Sequence, residues 1–339
     1  GIARDATLRG LKVILLEQNG LASGTSSWSS KLIHGGLRYL ETYHFRLVRN
    51  ALKERETLHQ IAPHLNRPLG TILPLGLKTR PKWLVRLGLF LYDHLYHSRA
   101  FAKTRTLDPN KDALGMLKET YQQGFLYQDG QSDDVRLVMA NIKDAANNGA
   151  LIAPYTKVTH IAPEKQKEYW KIQAIKTHSD DAQEQHFYAK AIVNAAGPWV
   201  DTICKLAGIG PLGLKAFRRS MARIPAPNSY PVASWPFISG PKEDWYAKPD
   251  AGQLIISPSE EVLTDPHDAW ADDLSLAKGI ARYQEMVTTP VTKMTSNWAG
   301  LRTFSPDRSL VIGPSVDNSS FFFMAGQGGY GFQTAPAAS

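Results

Sequence analysis

The side chains best suited to chemistry are concentrated near the start of the chain, in Ala22-Ser23-Gly24-Thr25-Ser26-Ser27-Trp28-Ser29-Ser30-Lys31-Leu32-Ile33-His34-Gly35-Gly36-Leu37-Arg38-Tyr39. Small hydroxyl residues and glycines let backbone N–H groups approach an anion closely, and Lys31 and Arg38 add positive charge. A polar stretch of this length between regular elements usually carries function. A second cluster, Gly326-Gln327-Gly328-Gly329-Tyr330-Gly331, forms a glycine turn behind a strand. A helix starting at Phe332 would place its N-terminus there, ready for a negative charge. A third feature is Glu17, at the carboxyl end of the short apolar run Lys12 to Glu17. There a carboxylate can accept hydrogen bonds from a ribose diol.

These groups need a scaffold, and the apolar periods describe one. Helical turns from Ala3 to Arg9 stop at Gly10 and lead into the strand ending at Glu17, the second half of a βαβ nucleotide-binding unit. Phe45 to His64 reads as an amphipathic helix with Val48, Ala51, Leu52, Leu58 and Ile61 on one side. Lys82 to Tyr92 is strongly apolar with basic flanks. It reads as a buried helix of a second domain, ahead of the alternative of an interfacial helix resting on anionic lipid. Asp133 to Asn148 is a further helix. Thr156 to Ile161 and Tyr169 to Ala174 are strands of a small antiparallel insertion. The run Ala189 to Asn194 turns through Ala195-Ala196-Gly197-Pro198 into a helix starting near Pro198. Mixed strands with one helix (Leu274 to Met286) fill Phe217 to Thr295. Val311 to Gly313 and Phe321 to Met324 are closing strands.

Composition narrows the partners. The chain has 339 residues and a formal charge of +8, which favours anionic ligands or surfaces. Lys and Arg do not run in blocks and are not interleaved with aromatics, so nucleic acid is not expected as a partner. Cys204 is the only cysteine, which excludes an internal disulfide and a cysteine-ligated metal site. No metal is expected. No secretory signal is present, and no apolar run approaches a membrane span.

The segments "GIARDA", "LASGTSS", "SSKLIHGGLRYLE", "FRLVRNALKERE", "APH", "GLFLYDHL" and "VNAAGPWVD" closely resemble FAD-dependent glycerol-3-phosphate dehydrogenase, the membrane-associated type that passes electrons to quinone. The resemblance covers Gly1 to about Lys205. From about Phe217, "DWYAKPDAG", "NWAGLRTFSPDRSLVIGP" and "AGQGGYGFQTAPA" resemble D-arginine and D-amino-acid dehydrogenases of the same D-amino-acid oxidase superfamily. Two departures stand out: Tyr330 follows Gly328-Gly329 where the first family carries a lysine, and Trp28 stands where an arginine is usual.

This resemblance implies an α/β fold, a Rossmann-like FAD-binding domain of the D-amino-acid oxidase and glutathione-reductase type, interleaved with a mixed-sheet substrate domain. The first strand and part of the glycine turn are expected to be missing. The FAD-binding domain would comprise 1–60, 134–206 and 296–339, and the substrate or cap domain 61–133 and 207–295. The resemblance places Gly1, Glu17, Thr25, Ser26, Ser27, Ser30, Lys31, Leu32, Val158, Ala196 and Gly197 at a noncovalent FAD. Gly326, Gln327, Gly328, Gly329, Tyr330 and Gly331 would cap the flavin's pyrimidine edge. His34 would take the substrate hydroxyl proton while hydride leaves the same carbon. Arg38 and Arg302 would clamp the anion, with Arg219 and Tyr246 as further substrate contacts.

The leading expectation is oxidation of sn-glycerol 3-phosphate to dihydroxyacetone phosphate, with electrons leaving through FAD to quinone or another acceptor. It places the protein in the cytoplasm, peripherally attached to the inner face of the cell membrane. The alternatives are oxidative deamination of a D-amino acid and a truncated, non-catalytic chain that binds FAD poorly.

Overall fold

A computed structural model describes residues 1–41, 43–75, 81–108, 112, 116–164, 168–178, 183–226 and 232–339, with Arg38 described by its backbone alone. The chain opens with α1 (Ile2–Leu8) and β1 (Ile14–Leu16), passes the hydroxyl-rich turns and reaches β2 (Leu32–Ile33). Next come α2 (Phe45–Ile61), β3 (Asn66–Pro74), α3 (Lys82–Leu95), β4 (Arg105–Thr106) and β5 (Gly124–Ser132). Asp133 caps α4 (Asp134–Asn147) by accepting the Arg136 N–H, so the helix starts where the acidic pair stands.

Then follow β6 (Leu151–Ala153), β7 (Thr156–Glu164), β8 (Tyr169–Lys176), β9 (Glu184–Ala189), β10 (Ile192–Asn194) and α5 (Val200–Ala207). The last part holds β11 (Lys215–Pro225), β12 (Phe237–Ser239), β13 (Tyr246–Asp250), β14 (Gln253–Ser257), β15 (Val262–Thr264) and α6 (Asp273–Met286). It closes with β16 (Ser296–Phe304), β17 (Val311–Pro314), β18 (Phe321–Ala325) and α7 (Gly331–Ala338).

Two bodies result. In the first, β1 pairs in parallel with β6, β10 pairs in parallel with β18, and β7–β8–β9 form an antiparallel meander. Val200, Cys204 and Ala207 of α5 bury against Ile161, Trp170, Ile172, Phe321 and Phe323 to make its core. The second body is a ten-stranded sheet in the order β15-β11-β14-β13-β12-β3-β5-β2, with β16 beside β11 and β4 beside β5. Because strand side chains alternate between faces, its register divides the residues cleanly. Ile72, Ile224, Ile238, Ala247, Leu254 and Ile256 turn toward Tyr283 and Met286 of α6 and form the largest core. The opposite face carries the candidate site.

Helix α3 departs from the buried expectation. Leu89 and Tyr92 are buried against α2 and β5, but Trp83, Leu84, Leu87 and Phe90 stay exposed. Only one side of this helix finds a partner among the described residues. Its apolar character is therefore two-sided, which a hydrophobic run alone does not distinguish from full burial.

Candidate active site

Following the register from β16 across to β5, one face of the large sheet presents Arg302, Arg219, Lys248, Tyr246, Phe237 and Asp129 in turn. The loop from Thr25 to His34 runs over this face. Gly300 admits it closely, since a Cβ there would lie 3.0 Å from the Trp28 carbonyl oxygen. Thr25 donates its hydroxyl to the Leu301 carbonyl at 2.9 Å, Ser30 hydrogen-bonds the Tyr246 hydroxyl, and Leu32 packs with Leu69, Phe237 and Tyr246.

At the far end His34 Nδ1 lies 3.2 Å from Asp129 Oδ2 and its ring meets Phe237 edge-on. Asp129 is 2% exposed, and its other oxygen accepts from Gly35 N, Arg55 Nη1 and the Tyr92 hydroxyl at 2.9, 2.9 and 2.6 Å. Burial alone would raise this carboxyl. The His34 contact, the Arg55 charge and the Tyr92 hydroxyl together outweigh burial and hold it below the ordinary aspartate range.

Lys31 meets a different fate. Its ammonium pairs with Asp134, whose other oxygen accepts the Ser29 hydroxyl at 2.7 Å, and Asp134 is fully buried. The loop's hydroxyls are mostly committed as well: Ser27 turns back to the Gly24 carbonyl, and Ser26 is half-buried with no side-chain hydrogen bond among the described residues. The Ser27, Trp28 and Lys31 N–H groups are also bonded within the loop, to the Gly24 and Thr25 carbonyls and the Ser29 hydroxyl, so the N–H groups of Ser26, Ser29 and Ser30 and the Ser26 hydroxyl are what it leaves for an anion among the described residues. Lys248, beside Tyr246 in β13, is 1% exposed and has no hydrogen-bond partner among the described residues. Burial pushes its ammonium down to about 8, with the Asp250 carboxylate opposing and Lys31 adding to the fall.

At the near end the guanidinium of Arg302 is stacked against the glycine turn. A Cβ at Gly329 would meet its Nη1 at 2.9 Å and displace it, and one at Gly328 would meet the Phe304 ring at 2.5 Å, so the turn needs glycine at Gly328 and the guanidinium's place depends on Gly329. Gly326 and Gly328 also adopt positive φ, and Gly331 begins α7 behind Gln327 and Tyr330. Arg302 has no hydrogen-bond or ion-pair partner among the described residues. Burial, then the neighbouring Arg219 charge, lower it to about 10. Arg219 is spent on the protein: it donates to the Ser259 and Glu260 carbonyls at 3.0 and 3.1 Å and sits 3.6 Å from Glu261. Arg38 lies in the short 3-10 helix Leu37–Leu40, and its side chain lies outside the described residues.

The remaining residues gather on the first body. Glu17 follows β1, where one carboxylate oxygen accepts the Asn19 N–H at 2.9 Å. Val158 lies in β7 at the edge of that body's core, and Ala196 and Gly197 follow β10, Gly197 with φ of +56°. Gly1 caps α1 and abuts Ser339 at the end of α7.

Asp129, Arg55, Tyr92 and Lys248 escape the sequence reading, although each leaves a trace. Arg55 occupies the apolar stripe of α2, between Leu52 and Leu58. Asp129 follows Phe125 and Tyr127 on the buried face of β5, and Lys248 shares a face with Tyr246. A charge where the period calls for a hydrophobe is the available signal, since such a group must find a buried partner.

The DAO family, described as FAD dependent oxidoreductase, matches residues 1–339. Over 204 residues the chain is 49% identical to D-erythritol 1-phosphate dehydrogenase of Brucella abortus, covering 60% of this chain and 40% of that protein. Over 227 residues it is 43% identical to glycerol-3-phosphate dehydrogenase of Pseudomonas aeruginosa, covering 66% of this chain and 43% of that one. The chain thus spans less than half the length of these curated relatives. The fold matches glycerol-3-phosphate dehydrogenase from Bacillus halodurans complexed with FAD at a TM-score of 0.72 and 23% identity, covering 100% of this chain and 61% of that one. It also matches L-alpha-glycerophosphate oxidase from Mycoplasma pneumoniae with FAD bound at 0.76 and 15%, covering 99% and 88%.

Proposed function

This chain belongs to the FAD dependent oxidoreductase family, and we propose that it oxidises the secondary alcohol of a small polyol phosphate, sn-glycerol 3-phosphate being the leading substrate and dihydroxyacetone phosphate its product. The observation that carries this reading is the presence, over one face of the large sheet, of two open groups: the Arg302 guanidinium and the His34 Nε2, neither with a partner among the described residues. A half-buried cation beside a second arginine is favoured when an anion joins it. The N-terminal relatives named for glycerol 3-phosphate and erythritol 1-phosphate favour phosphate as that anion.

The residues present fit FAD. Glu17 keeps one carboxylate oxygen without a partner among the described residues, suited to a ribose diol, and the Ser26, Ser29 and Ser30 N–H groups, likewise without a partner there, suit a pyrophosphate. In the Gly326 to Gly331 turn the main chain at Gly328 and Gly329 lies directly against Phe304 and Arg302, which sets this backbone beside the anion clamp. FAD, when bound, supplies the acceptor for the hydride that leaves the alcohol carbon. The protein's part is to hold the anion at Arg302 and take the hydroxyl proton at His34, while Tyr246 and Arg219 keep the loop and the β15 segment in place.

A second reading, oxidative deamination of a D-amino acid, is favoured by Tyr330 in place of a lysine, since Arg302 can hold a carboxylate as well as a phosphate. The test is dye reduction by the flavin-loaded chain with sn-glycerol 3-phosphate, D-erythritol 1-phosphate and a panel of D-amino acids. Arg302→Ala should lower kcat/KM for the true substrate by roughly 30-fold to several thousandfold, with FAD content unchanged. Arg302→Lys should restore only part, because a point charge does not reproduce the fork. Activity of Arg302→Ala within about twofold of wild type would remove the anion clamp from the reading. A chain that takes up no FAD would be the non-catalytic form.

We further propose that electrons pass to a quinone at the inner face of the cell membrane, with α3 resting on the lipid. No helix among the described residues is long and apolar enough to cross a membrane. Trp83, Leu84, Leu87 and Phe90 expose an apolar stripe flanked by Lys82 and Arg86, the pattern of an interfacial helix on an acidic leaflet. Co-sedimentation with anionic vesicles should fall steeply with salt and be lost in Trp83→Ser/Phe90→Ser. Equal binding to neutral vesicles at every salt concentration would remove the electrostatic part.

A further inference from the structure

His34 and Asp129 are bound together more tightly than a packing contact requires. The carboxylate takes three donors on Oδ1, from Gly35, Arg55 and Tyr92, which leaves Oδ2 to the imidazole alone among the described residues. Gly35 is demanded by this arrangement: a Cβ there would lie 2.0 Å from the Tyr92 hydroxyl and 2.4 Å from Leu52 Cδ2. Both the backbone and the ring of the His34 segment are thus anchored on one aspartate. We propose that Asp129 is the positioning residue for His34: it keeps Nδ1 protonated, which leaves the Nε2 lone pair to receive the substrate hydroxyl proton.

The logic is one of donors and acceptors. An ionised carboxylate only accepts, so a neutral imidazole bonded to it must present N–H at Nδ1 and a lone pair at Nε2. Asp129 stays ionised because a buried cation stands beside it. Arg55 is 4% exposed, donates also to the Gln128 carbonyl at 2.7 Å, and lies 3.9 Å from the centre of the Phe101 ring. Tyr92 accepts from Arg55 at 3.2 Å and passes its own proton toward Asp129. Burial, with the Asp129 charge second, pushes this phenol well above the usual tyrosine range, so it remains a donor. The His34 side chain is 40% exposed, so Nε2 is open to a small ligand.

In the reaction proposed above, the alcohol O–H bond breaks and its proton forms N–H at Nε2, while the hydride from the same carbon goes to FAD. The imidazolium so formed carries its new charge beside a carboxylate already in place and later returns the proton to water. The kinetic consequence therefore rests on the proposed reaction, whereas the tautomer does not.

The test has two parts. Imidazole 15N NMR on the histidine-labelled chain, with His34 assigned from the signal lost in His34→Gln, should show neutral His34 protonated at Nδ1. Asp129→Asn, whose amide can donate to Nδ1, should move the ring toward the Nε2–H form, and Tyr92→Phe should leave it as in wild type. A wild-type His34 protonated at Nε2, or a folded Asp129→Asn with the tautomer unchanged, overturns the proposal. Should Asp129→Asn fail to fold with Arg55 left unpaired, the wild-type spectrum alone decides. In the flavin-loaded chain Asp129→Asn should lower kcat by about 10²- to 10⁴-fold, with KM within about threefold and FAD content unchanged. A wild-type rate in this variant also overturns it. Absence of turnover with every substrate class would sink the proposed reaction and leave the spectrum to judge Asp129.

Discussion

Two aspartates at the junction of β5 and α4 hold the two residues that flank β2, with opposite outcomes. Asp134 closes over Lys31: the ammonium is paired, Ser29 fills the second oxygen, and the Val135 N–H bonds the carboxylate at 2.9 Å. Asp129 fixes His34 at one nitrogen only and leaves the other free among the described residues. Both contacts join a loop residue to a buried carboxylate, yet one exhausts the side chain and the other prepares it. Residue type and burial do not separate a structural contact from a functional one; the count of donor and acceptor positions left over does.

The largest expected effect contrasts the two loop residues directly. His34→Gln should lower kcat/KM by roughly 10²- to 10⁴-fold with FAD retained and the thermal midpoint little changed. Lys31→Met should act on stability, with the rate per folded, flavin-loaded molecule within about threefold of wild type. Equal rate losses in the two variants would abolish the distinction between an open and a closed corner. Next, Asp134→Asn leaves Lys31 without its buried partner and should cost about 3 kcal/mol in urea unfolding. A variant as stable as wild type would show that Asp134 contributes little to closing the loop.

Lys248 sharpens the comparison because it lies within electrostatic reach of the Lys31 and Asp134 pair and has no hydrogen bond of its own among the described residues. Its folded-state value of about 8 is below the ordinary 10.5, so burial of the charge destabilises the fold most fully below pH 8. As pH rises from about 8 to 10.5 the folded chain sheds this proton before the unfolded chain does, and stability should increase by about 3 kcal/mol. Lys248→Met should therefore be more stable than wild type at pH 7, with the advantage shrinking by pH 10. A stability difference of the same size at both pH values would show that the ammonium is not the cause. The smallest effect belongs to Ser29→Ala, which removes the bond donated to Asp134 and the one accepted from the Lys31 N–H, and should cost about 2 kcal/mol in the same unfolding measurement, with no change in rate.

Much of the scaffold was legible in the sequence because it follows from local periods. The helices from Phe45, Asp133 and Leu274 appear as α2, α4 and α6, and the strand before Glu17 appears as β1, shorter by its flanking residues. The glycine turn at Gly326 to Gly331 was also legible, since close approach and positive φ leave few other residue types. The hydroxyl-rich loop was legible as an irregular segment between regular elements but not in its contacts. Its side chains find partners more than a hundred residues away, Lys31 at Asp134 and Thr25 at Leu301, and no local pattern encodes such meetings.

The sequence by itself thus determined the family, the cofactor class and the positions of the glycine turns, because motif identity and backbone chemistry are local properties. Only the tertiary structure decided which charges remain available. It spent Lys31 and Arg219 on the protein, left Arg302 unpartnered and His34 open at one nitrogen among the described residues, and turned one apolar side of α3 outward. The physical reason is that a polar group's function depends on the bonds it has not yet made, and those are counted only after the chain has brought distant strands onto one face.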